Sequence, residues 1–217
     1  MKNNNCNCLA GKFITFEGGE GVGKTTQSKL FVQYLNDNNI RAEWSREPGG
    51  CEEAEDIRKL LISGGVDKWD GITELLLMYA ARRTHTMKKI KPLLENGVTV
   101  ISDRYLDSTL AYQGFGYNIP IEKINIIKNV VLENFKPDLT IILDLDVEKG
   151  LARTDIRGNK NRYEDMQIDF HNRVRKGFNY IYENEKNRCI KINVDGYKED
   201  DLFNEILNKS IDFFNNK

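Results

Sequence analysis

Residues 18–25, Gly-Gly-Glu-Gly-Val-Gly-Lys-Thr, fit G-x-x-x-x-G-K-[ST] at every fixed position. A short β-rich run, KFITFE (12–17), precedes them and a helical pattern from Lys24 to about Asn38 follows, which is the context this motif requires. Glycines there let successive backbone N–H groups turn inward as an anion nest, and the helix N-terminus adds its positive end. The chemistry expected is phosphate binding by Gly18, Gly19, Glu20, Gly21, Val22, Gly23, Lys24, Thr25 and Thr26. Lys24 is expected to reach the β- and γ-phosphates of ATP and the Thr25 hydroxyl to be a Mg2+ ligand. Asp103 ends a second apolar run, VTVISD, and so points to the crevice beyond the strand ends, beside the same magnesium; it could also cap the helix that follows. A third stretch, Arg153–Glu164 (RTDIRGNKNRYE), is polar, basic and without apolar period. It reads either as a solvated loop or as a lid over an anionic ligand.

The elements that must carry these groups alternate. Strands are expected at 12–17, 41–45, 98–102, 139–145 and 189–194. Helices are expected at 24–38, 53–62, about 72–96 and 121–134, with a last one from about 199. Such alternation implies βαβ units, a parallel five-stranded sheet and a three-layer α/β/α fold of the P-loop NTPase type. The chain of 217 residues reads as a polar, frayed extension over 1–11, then one domain over 12–217 with a lid at about 151–164.

Composition excludes several other classes. Thirty-two Lys and Arg against 33 Asp and Glu leave a net charge of −1, unlike the strongly basic balance of a nucleic-acid-coating protein. No apolar run approaches bilayer length, and MKNNNCNCLAGKF has no signal-peptide core, so the expected compartment is the cytoplasm. Cys6, Cys8, Cys51 and Cys189 lack the Cys-x-x-Cys pairing of a structural zinc site and read as reduced thiols. No Asn-Lys-x-Asp guanine reader is present, which favours a metabolite kinase over a GTPase switch.

Outside the phosphate loop, FEGGEGVGKTTQ (16–27), REPGG (46–50), YAARRTH (79–85), SDRYLDSTLAYQG (102–114) and KPDLTIILDL (136–145) occur in an order and spacing that resemble bacterial-type thymidylate kinases. The resemblance spans about residues 12–195. It implies a homodimer that phosphorylates dTMP to dTDP with ATP and Mg2+. It further implies that Arg104 holds the acceptor 5′-phosphate and that Arg82 bonds the thymine carbonyl. By the same resemblance Thr109 bonds the ring edge, while Tyr112 lies against the deoxyribose and excludes a 2′-hydroxyl. Ser108 and Gln113 share that helix side, since 108/112 and 109/113 are each four apart. Glu20 matches an acid placed near the acceptor phosphate and sugar, Pro48 shapes the thymine-methyl pocket through a bond whose isomer is left open, Arg46 supports the pocket and His85 reads as structural. Where the family has a stacking Phe this chain has Met78, with Tyr79 next to it as the alternative cover. Some relatives carry an Arg where this chain has Gly21, so the catalytic cation is expected from the lid, with Arg157 ahead of Arg153 and Arg162. Lys24, Arg157, Glu20 and Asp103 are thus the expected catalytic set. Another nucleoside monophosphate kinase, or a P-loop regulatory NTPase, stands as the alternative.

Overall fold

A computed structural model describes residues 4–158 and 162–216, with the Arg157 side chain outside the described atoms. Five strands form one sheet in the order β2-β3-β1-β4-β5: β1 (Phe13–Gly18), β2 (Ala42–Arg46), β3 (Thr99–Asp103), β4 (Leu139–Asp144) and β5 (Cys189–Asn193). All four pairings are parallel. Phe16 lies opposite Asp103 and Gly18 opposite Leu143, so β1, β3 and β4 end together at one edge. The α/β/α fold expected from the alternation is the one observed.

Alternation along β1 divides the core between the two faces. Ile14 and Phe16, with Ile141 and Leu143, pack on Phe31 and Leu35 of α1 (Lys24–Asp37) and on Leu202 and Ile206 of α9 (Glu199–Asn215). Phe13 and Val100 face the other way, onto Leu75 and Tyr79 of α3 (Gly71–His85) and Ile124 of α6 (Ile121–Leu132). The second face is completed by α8 (Ile168–Asn184), whose Phe170, Val174, Phe178 and Ile181 are buried. Between β3 and α6, α5 (Leu106–Thr109) runs on as a π-helical stretch, Leu110–Gly116. This element is pinned to the sheet from below. Arg188 makes two bonds of 2.8 Å to the Asp107 carboxylate and one of 2.9 Å to Thr140 Oγ1, all buried.

Four expectations need correction. Residues 4–9 form a 3₁₀ turn rather than a frayed extension, with Cys6 and Leu9 buried in the first core. The polar asparagines around them hide this, because no period marks a single apolar turn. The helix expected over 72–96 runs without a break but is not α throughout: α3 continues through a π turn (Thr86–Ile90) into the short α4 (Lys91–Glu95). The region 168–184, given no element in the sequence reading, is the 17-residue α8. Finally, the supposed lid at 151–164 is not one segment. Residues 151–157 belong to α7 (Val147–Arg157), started by an Asp146 cap on Glu148 N–H, while Arg162, Tyr163 and Glu164 are buried. Residues 159–161 of that expected lid lie outside the described residues.

Candidate active site

β1 delivers the chain to Gly18, whose φ of 135° opens the loop. Gly21 and Gly23 follow at φ 68° and 92°, conformations that side chains rarely adopt. Gly21 has a second reason to be glycine: a Cβ there would collide with the backbone carbonyl of Gly150 on α7, and a Cβ on Gly150 would meet the Glu20 carbonyl. The two glycines let α7 rest directly on the phosphate loop. An arginine at position 21 has no room in this packing, and Arg153, one turn along α7, donates instead to the Gly21 carbonyl at 3.4 Å.

A cavity of about 570 Å³ opens above the strand ends. Its phosphate-loop side is lined by Glu20, Gly21, Gly23, Lys24, Thr25 and Thr26, with Asp103 and Arg153. Gly18, Gly19 and Val22 support this wall without lining it; Val22 is buried in the core. Burial lowers the Lys24 ammonium to about 8, against the raising pull of Glu20 and Asp103, and its Nζ donates to the Gly19 carbonyl. The Thr25 hydroxyl donates to the Asp103 carboxylate. Those two oxygens stand side by side at the phosphate loop, a donor set of the hard kind that Mg2+ takes from a protein.

The opposite side is built on the turn after β3. Arg104 has φ 72°, unusual for a residue with a side chain, and this turns its guanidinium back over the sheet edge. It donates to the Gly18 carbonyl (3.1 Å), Ser108 Oγ (3.1 Å), Glu20 Oε1 (3.0 Å) and the Tyr112 hydroxyl (3.0 Å). Tyr112 in turn donates to Glu20 at 2.6 Å. Burial raises the Glu20 carboxyl, but Arg104, Lys24 and Tyr112 together hold it at about 2. Burial lowers the charge preference of Arg104, yet Tyr112, Glu20 and Asp103 raise it above its ordinary value. Glu20 therefore stands as a permanent anion between two cations, one on each side of the cavity.

Deeper in, Arg82 is a cross-brace. Its Nε donates to Glu47 (2.6 Å), Nη1 to Thr109 Oγ1 (2.8 Å) and Nη2 to the Tyr105 carbonyl (2.9 Å). The guanidinium lies between the rings of Tyr79 and Tyr105, 5.1 and 5.3 Å from their centroids. Glu47 also meets His85 Nδ1 at 2.9 Å, and His85 Nε2 meets Ser45 Oγ at 2.6 Å, so His85 holds β2 and α3 together. Gln113 donates to Glu74 at 2.7 Å, and Arg162 pairs with the same buried carboxylate.

The family model for thymidylate kinase matches residues 16–206. A thymidylate kinase of Caulobacter vibrioides is 45% identical over 185 residues, covering 85% of this chain and 89% of that protein. One from Wolbachia pipientis wMel is 44% identical over 202 residues, covering 91% and 98%. The crystal structure of thymidylate kinase from Ehrlichia chaffeensis superposes with a TM-score of 0.74 at 34% identity, over 93% of this chain and 98% of that one. This chain belongs to the thymidylate kinase family.

Within that family framework, the cavity brings together Glu20, Lys24, Thr25, Thr26, Pro48, Met78, Arg82, Asp103, Arg104, Ser108, Thr109, Tyr112, Gln113 and Arg153. Met78, and not Tyr79, lines it; Tyr79 is buried behind, under Arg82. The bond before Pro48 is cis. Arg162 does not face the cavity as a free lid cation: besides Glu74 it donates to the carbonyls of Leu61 and Val66 at 3.1 Å each. Arg157 ends α7, with its side chain outside the described atoms. Three participants went unnoticed in the sequence. Glu47 lies inside the quoted REPGG motif, between Arg46 and Pro48, the two residues of it that were given roles. Arg58 lines the cavity and donates to the Pro48 carbonyl at 2.7 Å, and its sole signal was a basic residue on the helix after that motif. Glu74, fully buried, announces itself only as one acid among leucines in ITELLLMYA.

Proposed function

We propose that the chain transfers the γ-phosphoryl group of ATP to the 5′-phosphate of dTMP, releasing ADP and dTDP. The observation that carries this reading is the sharing of one cavity by Lys24 and Arg104, with Glu20 fixed between them. A phosphate held by Lys24 and the loop amides can meet a second phosphate held by Arg104. An oxygen of the acceptor phosphate attacks the γ-phosphorus, the bond to the β-bridging oxygen breaks, and the electron pair leaves with ADP. Lys24 stabilises charge on the β- and γ-oxygens, and a cation from α7, Arg153 or Arg157, covers the transferring group as the loop lacks an arginine of its own. Glu20 keeps Arg104 and Tyr112 in place and presents a negative edge to the sugar side, where a hydroxyl can donate to it. Arg82 and Thr109 offer polar atoms to a ring edge, Gln113 closes the pocket, Met78 and Pro48 give it apolar cover, and Tyr112 narrows the space beside the sugar.

Thr25 and Asp103 would hold Mg2+, which supplies charge neutralisation on the donor phosphates. We assign the working form as a homodimer and its compartment as the cytoplasm, where ATP, dTMP and four cysteines outside any disulfide belong together. Among the described residues no helix is long and apolar enough to cross a membrane.

The test is an acceptor panel with ATP and Mg2+, reading ADP release for dTMP, dUMP, CMP, GMP and AMP. The reading expects kcat/KM highest for dTMP, with dUMP behind it by roughly tenfold for one methyl group. A purine acceptor in first place, or ADP release that no acceptor accelerates, would reject it.

A further inference from the structure

The reaction outlined above gives no task to Glu17, the residue just before the phosphate loop, although it is fully buried. Its side chain leaves β1 on the face of Phe13 and Thr15, toward α5. Three donors converge on its carboxylate: Tyr105 N–H at 2.7 Å, Ser108 N–H at 3.3 Å and the Ser108 hydroxyl at 2.6 Å. The first two are N–H groups at the start of α5, a helix whose own N-terminal residue gives no side-chain cap. Glu17 supplies that cap from a neighbouring strand.

The residue immediately before Tyr105 is Arg104, with its left-handed φ of 72°. Its N–H goes to the Phe16 carbonyl at 2.9 Å. Adjacent residues of β1 therefore grip this turn on both sides, Phe16 at Arg104 and Glu17 at Tyr105. The third bond adds direction. A serine hydroxyl has one proton and two lone pairs. Because that proton is given to Glu17, the oxygen is left as an acceptor, and Arg104 Nη1 donates to it at 3.1 Å. Glu17 thus sets both the backbone from which Arg104 springs and one of the four bonds that aim its guanidinium.

We propose that Glu17 is a positioning residue for acceptor-phosphate binding: through Tyr105 N–H and the Ser108 hydroxyl it holds Arg104 in the pose that receives the 5′-phosphate. The proposal rests on Arg104 as the acceptor-phosphate ligand. Glu17→Gln preserves volume but brings an amide NH2 toward Ser108 Oγ. The hydroxyl proton then loses its acceptor, and the oxygen is shared between two donors.

The test separates phosphate positioning from general damage by using a ligand pair that differs only in the phosphate. Binding of dTMP and of thymidine, the nucleoside without phosphate, is measured by calorimetry on wild type and Glu17→Gln, with steady-state kinetics alongside. The expected result is an affinity for dTMP at least tenfold weaker, thymidine within twofold, KM for ATP within twofold and kcat within threefold. Equal weakening of both ligands, or no weakening of dTMP, overturns the proposal. If Glu17→Gln does not fold, Glu17→Asp decides, since it keeps the charge but draws the carboxylate back from the Tyr105 N–H and the Ser108 hydroxyl. It should weaken dTMP at least threefold and leave thymidine within twofold, and any other pattern overturns the proposal. A wild-type protein that holds dTMP no more tightly than thymidine would instead remove the assignment of Arg104, and with it the reading on which this inference stands.

Discussion

At the scale of single residues, the site works by placing fixed charges where mobile ones will arrive. Glu20 illustrates the energetics. Its carboxyl sits at about 2 in the folded chain against an ordinary 4.5, so folding favours the anion. A depressed carboxyl contributes stability that is complete above its unfolded value and is lost as pH falls through the folded one. The contribution from Glu20 should therefore be full above about pH 4.5 and decline toward pH 2, by an amount on the order of 3 kcal/mol. Thermal melts of wild type and Glu20→Gln between pH 7 and pH 3 check this. The variant should melt lower at pH 7, and the gap should narrow on acidification. A gap that is constant with pH would mean the carboxylate is not held by Arg104 and Tyr112 as described.

The same scale shows what the sequence makes legible. The phosphate loop declares itself because its chemistry is local: glycines, Lys24 and Thr25 are contiguous, and the loop geometry follows from their order. Arg104 was also within reach because it follows Asp103 at the crevice, and Ser108, Thr109, Tyr112 and Gln113 because 108/112 and 109/113 are each four apart on the helix after it; their individual roles came with the family resemblance. Glu17, Glu47 and Glu74 were out of reach. Each is a buried acid whose partner lies 35 or more residues away, and nothing in the neighbourhood of the chain distinguishes it from a surface glutamate.

At the scale of elements, the basic stretch after β4 separates into two parts with different tasks. α7 rests on the phosphate loop through Gly21 and Gly150 and carries Arg153 to the cavity. Arg162 belongs to a buried brace with Glu74 that ties the segment before α8 to α3 and to the end of α2 (Glu52–Ile62). The two arginines should consequently fail in different ways. Arg153→Ala should lower kcat by about 10²-fold, with the melting temperature within about 2 °C of wild type. Arg162→Ala leaves Glu74 buried without its ion-pair partner, still hydrogen-bonded by Gln113 and Tyr117, a loss of about 3–5 kcal/mol. In a domain of this size that lowers the melting temperature by roughly 10 °C. Kinetics and melting on both variants, with Arg157→Ala measured beside them, assign the lid cation. If Arg157→Ala carries the kinetic loss and Arg153→Ala does not, the cation is Arg157. Sequence polarity could not divide the stretch, because a buried arginine and an exposed one share the same letter.

At the scale of the whole molecule, one face is left unpaired. Ile72 and Leu76 on α3 are 42% and 53% exposed, and Ile126 and Val130 on the adjoining α6 are 65% and 77% exposed. Each pair is four apart, so each helix presents an apolar stripe, and α3 packs against α6. Exposed apolar residues spaced this way on two packed helices suit an interaction surface. A second copy of this chain is the occupant we assign, in keeping with the homodimer proposed above. Sedimentation velocity should find a dimer, and Val130→Asp should shift it to monomer at micromolar concentration. A wild-type monomer would leave these stripes without their assigned partner. The five parallel strands and the three layers were legible from alternating strands and helices, but the strand order was not, and α8 escaped notice because its apolar positions are separated by lysine, arginine and asparagine.

The central claim concerns where one phosphoryl group goes, and it can be followed directly. ATP labelled at the γ-phosphorus is incubated with dTMP, Mg2+ and the purified chain, and the products are separated. The account predicts that the label appears in dTDP, at its β-phosphorus, in one-to-one proportion with the ADP formed, and that Lys24→Ala reduces this transfer by at least about 10²-fold. Label released as inorganic phosphate at the same rate with and without dTMP would contradict it.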